Sequence, residues 1–541
     1  MRAMWKKWFS IILCVIIVLA FSLFFALKAE KKEETTSETI TIGIIDNQYI
    51  QDIDSNYYKE WLEEQLGIKL EFYVFPEEYT AEYLDRMFKS GNIPVDALFS
   101  FPVSEDSNFT NSVLQEYGQL GYILPLNRYI ENSAFMQELF ADFSAYDLKN
   151  VLTSPDGNIY YMPGLDASYK AEYSQVMWIN NEWLKALNLD IPQTVNDLEN
   201  VLEAFKNGDP NGNSLHDEIA LAGSRDKYSE QSYNFLMNAF VYNDPNNSRM
   251  LVEDGTVYFA PFTQKWREGV QYIHDLYSKG LLDDFQFSLD HEQFVQLAND
   301  PRDLLGAFTS ASICDVLLQS SPELLSNFIR VAPIAGSNGT QYSVVNTPFP
   351  SANGIITSAC MNPEAVFSLF ELMLSKEAFL IGRYGEKGVD WDYAQSGDLD
   401  VFGNQATIKR YTQLWNKPQN KILLETGPFI TYTEYANGVK WNGIESEADS
   451  TDARAYYLYS QYRPEEYLRT ILFEGEESES LINLKTNVDK YTDDMLIEFI
   501  TGTLDSYDDT EWAEYIKYYQ TLGIDTLIDA AQDSYLTLLQ D

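Results

Sequence analysis

Residues Thr39–Phe75 read TITIGIIDNQYIQDIDSNYYKEWLEEQLGIKLEFYVF. TITIGII (Thr39–Ile45) alternates and is rich in β-branched residues, which predicts a strand. A helix is predicted over Tyr57–Leu66, and KLEFYVF (Lys69–Phe75) reads as a second strand. A helix near Ala81–Lys89, a Gly-Asn-Ile-Pro break and the apolar DALFSF (Asp96–Phe101) follow. Strand, helix, strand, helix, strand with short turns predicts an α/β unit, a largely parallel sheet covered by helices.

The same logic extends toward the C-terminus. A Gly-containing turn, SPDGNIYYMP (Ser154–Pro163), precedes QVMWINNEWLKALNL (Gln175–Leu189), a strand running into a helix. The next helix opens at Thr194, with Asp197 three residues on as a variant capping box. Its apolar Val195, Leu198, Leu202 and Phe205 share one face, and Asn207-Gly208 ends it. From about Asp489 the tail has helical spacing throughout. The chain has 541 residues, too many for one hydrophobic core, which stops growing at about 250–300. Two large lobes, or two to four domains, are therefore expected.

The N-terminus gives location. Arg2, Lys6 and Lys7 precede an uncharged apolar run, Trp8–Leu27. Twenty helical residues span roughly 30 Å, the thickness of a bilayer core. Residues 1–7 are expected in the cytoplasm, 8–27 in the membrane, and 28–38 as a flexible tether to an extracytoplasmic body. An uncleaved anchor is favoured over a cleaved signal, because Leu27-Lys28-Ala29 is a poor cleavage site and no small residue stands just before Cys14.

Composition excludes several functions. With 82 acidic residues against 37 basic ones, the net charge is −45, which repels phosphate backbones and argues against nucleic acid. The cysteines, Cys14, Cys314 and Cys360, form no CxxC, so zinc ribbons and thioredoxin-type sites are out. Cys314 and Cys360 are read as buried thiols, with a disulfide as the alternative. His216, His274 and His291 form no HExxH, and GxSxG, GxxxxGK and GxGxxG are absent. No enzyme activity is expected. A glycosidase, the strongest enzymatic rival, has only the abundance of carboxylates in its favour.

The segment DPNGNSLHDE (Asp209–Glu218) points to a metal. Asp209, Asn211 and Asn213 offer oxygens at positions 1, 3 and 5, Leu215 a carbonyl at 7, and Asp217 a carboxylate at 9. Calcium takes six to eight hard oxygen ligands, which this alternation wraps around one point. Two departures from an ordinary EF-hand loop stand out: Ser214 replaces the sixth-position glycine, and Glu218 must supply the late carboxylate because position 12 is Ala220. An Asx-rich turn without metal is the alternative.

From Gly157 to Gly223, GNIYYMPG and VMWINNEWLKALNLDIPQTVNDLENVLEAFKNGDPNGNSLHDEIALAG resemble the extracellular solute-binding proteins of carbohydrate ABC importers. The likeness is to the branch containing alginate-oligosaccharide binders. ANGIITSACMNPEAVFSLFELMLSKEAFLIGRYGEKGVDW (Ala352–Trp391) and EFITGTLD (Glu498–Asp505) resemble further family segments in the same order. The resemblance implies a two-lobed, periplasmic-binding-protein type II-like α/β fold with discontinuous lobes and an interlobe ligand cleft. Lobe one would be 39–172 plus 353–392, and lobe two 173–352 plus 393–541. It also implies structural Ca2+ on Asp209, Asn211, Asn213, Leu215, Asp217 and Glu218, an oligosaccharide ligand, an ABC permease as partner and a monomeric chain.

Sugars stack on aromatic rings and bond to polar neighbours. Cleft candidates at strand ends and lobe crossings are Asn47, Phe101, Asp166, Tyr173, Trp178, Phe308, Trp391 and Trp441. Within the same fold, a ligand sensor for a signalling partner and a peptide-type solute binder are the rival functions.

Overall fold

The computed structural model describes residues 38–75, 80–100, 111–154, 156–317, 322–415, 417–441, 445–471 and 478–539. The apolar run Trp8–Leu27, the tether up to residue 37 and Phe101 lie outside them. Among the described residues no helix is long and apolar enough to cross a membrane.

Among the described residues the chain lays down four strands, crosses over for six more, and returns for five. The first four are β1 (Thr39–Ile45), β2 (Lys69–Phe75), β3 (Ala97–Phe99) and β4 (Met162–Leu165). After the crossing come β5 (Val176–Asn180), β6 (Ile219–Leu221), β7 (Met250–Glu253), β8 (Thr256–Phe259), β9 (Leu305–Ser310) and β10 (Phe328–Val331). The return brings β11 (Ser351–Ile356), β12 (Trp391–Tyr393), β13 (Ile408–Arg410), β14 (Phe429–Ile430) and β15 (Val439–Trp441).

These strands build two major sheets over two separate cores. The first sheet has the order β14-β4-β11-β3-β1-β2, and β11 alone runs against its neighbours. The second has the order β10-β5-β9-β6, with β5 antiparallel to both neighbours. The first core draws on residues between Ile40 and Leu165 and between Ala352 and Val439. The second runs from Tyr173 to Val345 and resumes from Ala455 to Tyr535.

Local sequence explains the elements. The helix Tyr57–Leu66 starts where the Asn56 side chain accepts from the Tyr58 and Lys59 amides, and it stops at Gly67 in the left-handed region (φ 68°). The helix Val195–Asn207 carries the expected reciprocal capping box between Thr194 and Asp197. It buries Val195, Leu198, Val201, Leu202 and Phe205 against the second sheet, each contributing roughly 1.5–3 kcal/mol. Phe205→Ala on that face would cost about 3–5 kcal/mol. The tail forms the helices Ser478–Thr501, Asp509–Leu522 and Ile524–Leu539, which close the second core.

One expected boundary moves. Residues 393–441, expected in lobe two, instead place Ile408, Leu423, Ile430, Tyr432 and Val439 in the first core, and β14 pairs with β4. Lobe one therefore keeps the chain to Trp441, because this segment completes an edge of its sheet. Cys314 packs against the second core and Cys360 against the first, and no disulfide joins them.

Candidate functional site

Strand direction decides where a ligand meets lobe one. β1, β2, β3, β4 and β14 all point the same way, so their carboxyl ends share one edge. The chain leaves β4 for lobe two from that edge and returns there to begin β11. In open α/β sheets ligands bind outside the carboxyl ends of strands. Here that edge is also where the crossings lead to the second lobe. At the crossing itself the Asn346 amide N–H donates to the Glu172 carbonyl (2.9 Å), and the Asn346 side chain donates to Ser174 Oγ.

The edge is polar and tightly held. Ser100 follows β3 in the left-handed region (φ 53°), and its Oγ accepts from the Gly427 amide (2.8 Å) and from Asn353 Nδ2 (3.0 Å). Asn353 Nδ2 also donates to the carbonyls of Gly427 (3.0 Å) and Glu425 (3.4 Å). Leu424 and Glu425 adopt left-handed backbone in succession (φ 52° and 61°). Neither is glycine, so the turn persists only because these bonds over-determine it. Gly427 (φ 94°) lies so close to Phe99 that a Cβ would meet the ring at 2.6 Å.

A charged network sits among these groups. Arg383 donates to Glu425 Oε1, and Asp166 Oδ1 accepts from the Ser168 amide (2.9 Å) and Thr431 Oγ1 (3.0 Å). Burial pushes the Asp166 carboxyl up, but Arg383 and these hydrogen bonds together hold it below its usual range. Glu425 goes the other way: burial raises it, Asp166 adds repulsion, and Arg383 only partly offsets both. Trp415, half-buried, donates its indole N–H to the Arg383 carbonyl (3.1 Å) and lies 5.5 Å from the guanidinium. A cavity of about 20 Å³ opens beside the pair, lined among others by Arg383, Glu425, Thr426, Pro428 and Phe429.

The Asp209–Glu218 loop stands apart, in the second lobe. Asp209 accepts from the Ser214 amide at 3.2 and 3.1 Å, Asn211 from the Asn213 amide at 3.1 Å, and Asn213 from the Leu215 amide at 2.7 Å. Asn213 Nδ2 donates to Asp217 Oδ1 (2.9 Å), and Arg302 lies 3.5 Å from Asp217 Oδ2. Ser214 adopts φ 63°, the conformation a glycine would take freely at this sixth position. Both Glu218 carboxylate oxygens are buried without a hydrogen-bond partner in another residue. Burial, then Asp209 and Asp217, raise the Glu218 carboxyl. A buried, unpartnered carboxylate beside further oxygen donors fits a hard cation. Among the described residues, though, no three His, Cys, Asp or Glu side chains stand close enough together to hold one as they are.

No protein-family profile matches the chain. Over 490 residues it is 24% identical to the fructooligosaccharide ABC transporter substrate-binding protein FusA of Streptococcus pneumoniae serotype 4 (strain ATCC BAA-334 / TIGR4), covering 88% of this chain and 85% of that one. The chain is a relative of ABC-transporter substrate-binding proteins. Its fold matches a solved FusA EF-hand mutant in complex with fructo-nystose, with a TM-score of 0.74 at 21% identity over 93% of this chain and 100% of that one. The alginate-binding protein AlgQ2, solved without calcium ion, gives 0.65 at 19% identity over 93% of this chain and 98% of that one. These relatives and neighbours are binding proteins rather than enzymes.

Set on the fold of these substrate-binding proteins, the candidates from the sequence separate. Asn47 lies just past β1 and caps a turn by accepting from the Tyr49 amide (3.0 Å), and Asp166 ends β4, so both reach the edge. Trp441, at the end of β15, is half-buried with the Arg410 guanidinium 3.9 Å over its ring. Tyr173 lies in the crossing and is buried in the second core. That reading needs correction, and so do three more. Trp178 and Phe308 are fully buried, facing each other across β5 and β9, and Phe308 packs on Phe328 at 5.3 Å. Trp391 is 2% exposed and donates its indole N–H to the Gly385 carbonyl (2.9 Å). Rings enclosed in a core offer no face to a sugar. Sequence reasoning passed over Ser100, Asn353, Arg383, Trp415 and Glu425. Only the unusual backbone at Leu424-Glu425 marks the site, and no residue pattern announces it.

Proposed function

We propose that this chain captures an oligosaccharide between its two lobes, outside the membrane, and delivers it to an ABC permease. The observation that carries this reading is the convergence of the strand carboxyl ends and the crossings on one polar edge of lobe one. The sequence likeness to a fructooligosaccharide-binding relative supports the ligand class. Asn47, Asp166 and Trp441 then contribute to the sugar site, and Tyr173 stiffens the crossing. Hinge closure supplies the signal to the permease, provided the ligand binds the closed state better than the open one. The Trp8–Leu27 run keeps the body at the outer face of the membrane, and the chain acts as a monomer.

Calcium would be held by Asp209, Asn211, Asn213, the Leu215 carbonyl, Asp217 and Glu218. When bound, the ion supplies positive charge to carboxylates that otherwise repel one another. Glu218 contributes the buried carboxylate, and Asn211, tied to the Arg302 and Asp303 carbonyls (both 3.3 Å), anchors the loop to the lobe.

A thermal-shift screen against an oligosaccharide panel, with product analysis in the same wells, tests the reading. One sugar class is expected to raise the midpoint in a concentration-dependent way with no breakdown of the sugar. Hydrolysis products, or a response to peptides alone, would overturn it.

A further inference from the structure

The main cation of the network at the lobe-one edge is already paired. Arg383 is shared by Glu425 and Asp166, Lys170 in the crossing lies within reach of Glu425, and Arg463 from lobe two faces Glu172. A carboxylate ligand entering here would meet an Arg383 guanidinium already engaged and would lie beside three carboxylates. The net charge of −45 adds repulsion at longer range, until it is screened beyond about 8 Å at physiological salt. A hydroxyl-rich, uncharged ligand faces the opposite situation. Carboxylates accept several hydrogen bonds and donate none, and sugar hydroxyls are donors.

Within this network Glu425 has the features of a reading group. Its side chain retains 19% exposure, and Arg383 engages one carboxylate oxygen, Oε1. Its left-handed backbone is clamped by Asn353 through the Glu425 carbonyl and by the Gly427–Ser100 bond, so the carboxylate is fixed before a ligand arrives. The half-buried Trp415 lies 5.5 Å from the Arg383 guanidinium and supplies an aromatic surface in the same neighbourhood.

We propose that the lobe-one edge selects uncharged saccharides over uronate-bearing ones, with Glu425 as the specificity-determining residue. This rests on the capture function proposed above and names its ligand class. Replacing Glu425 by Gln keeps volume and one acceptor while removing the charge that repels uronates and holds Arg383. The neutral-to-uronate preference should therefore narrow. A merely structural lesion would weaken both classes alike.

The test is titration calorimetry of the full chain in a non-sugar detergent with neutral fructo-, malto- and xylo-oligosaccharides, and with oligogalacturonates and oligoguluronates of matched length. The wild-type protein is expected to bind at least one neutral series and to bind uronates at least 100-fold more weakly. Glu425→Gln should lose tenfold or more for the neutral ligand and reduce the neutral-to-uronate ratio, with a melting midpoint within a few degrees of wild type. Uronates binding as tightly as neutral sugars would overturn the inference and leave the capture function standing. So would a variant with an unchanged ratio. Binding of neither class would overturn the capture function itself.

Discussion

The Asp209–Glu218 loop and the edge around Glu425 both turn polar groups inward, but over very different distances along the chain. Within the loop, hydrogen bonds join residues two to five positions apart, while Asn211 reaches out to the Arg302 and Asp303 carbonyls and Asp217 to the Arg302 side chain. At the edge, Asn353 reaches Ser100 across 253 positions, Thr431 reaches Asp166 across 265, and Gly427 reaches Ser100 across 327. Short-range turns close at little entropic cost, whereas contacts across hundreds of residues exist only once the lobe has folded. The loop can therefore be changed with local consequences, while a change at the edge is felt by the whole of lobe one.

The largest effect is expected from Asn353→Ala. It removes one of the two donors to Ser100 Oγ and the Asn353 donor to the carbonyls of Gly427 and Glu425, at a cost of about 2–4 kcal/mol. Urea denaturation checks this, and a loss under about 1 kcal/mol would break the contrast between edge and loop. Next comes Glu218→Gln, which should leave the metal-free midpoint nearly unchanged and abolish the rise on adding calcium. A ligand at a hundred times its Kd stabilises by about 2.7 kcal/mol. Asn353→Ala should keep that calcium response, and its loss there would join the two regions energetically.

The acid limb of stability sharpens the edge further. Asp166 is held below its ordinary value, so its contribution is present above about pH 4 and is lost as pH falls through the folded value. Each pKa unit corresponds to about 1.4 kcal/mol. Asp166→Asn should flatten the fall in melting midpoint below pH 4 relative to wild type. Glu425, raised instead, contributes with the opposite sign: its share is present at low pH and is lost as pH rises through its folded value. The smallest effect is expected from Phe402→Ala. Phe402 of lobe one packs on Tyr457 of lobe two with ring centroids 5.0 Å apart. Such a pair is worth about 0.5–1.5 kcal/mol, and Tyr457 is half exposed. Small-angle scattering without ligand should show a wider spread of lobe separations at nearly unchanged stability.

Much of this architecture was legible in the residues themselves. The alternation in Thr39–Ile45 and the Thr194 capping box each encode structure within a dozen positions, and each forms where expected. Trp178 and Phe308 misled for a physical reason. Strands buried on both faces are continuously apolar, and in sequence a core aromatic there looks the same as a sugar platform. The lobe boundary misled because β14 has only two residues, Phe429 and Ile430, too short to show a period.

The sequence alone determined two lobes of α/β character, an Asx-rich loop at Asp209–Glu218 and a family likeness, because periodicity, capping and loop chemistry act between near neighbours. Only the tertiary structure decided that Trp178, Phe308 and Trp391 are core, that residues 393–441 belong to lobe one, and that Arg383, Glu425 and Asp166 meet at the strand ends. Those outcomes depend on which strands pair across hundreds of residues, and strand pairing is settled by the packing of the whole lobe.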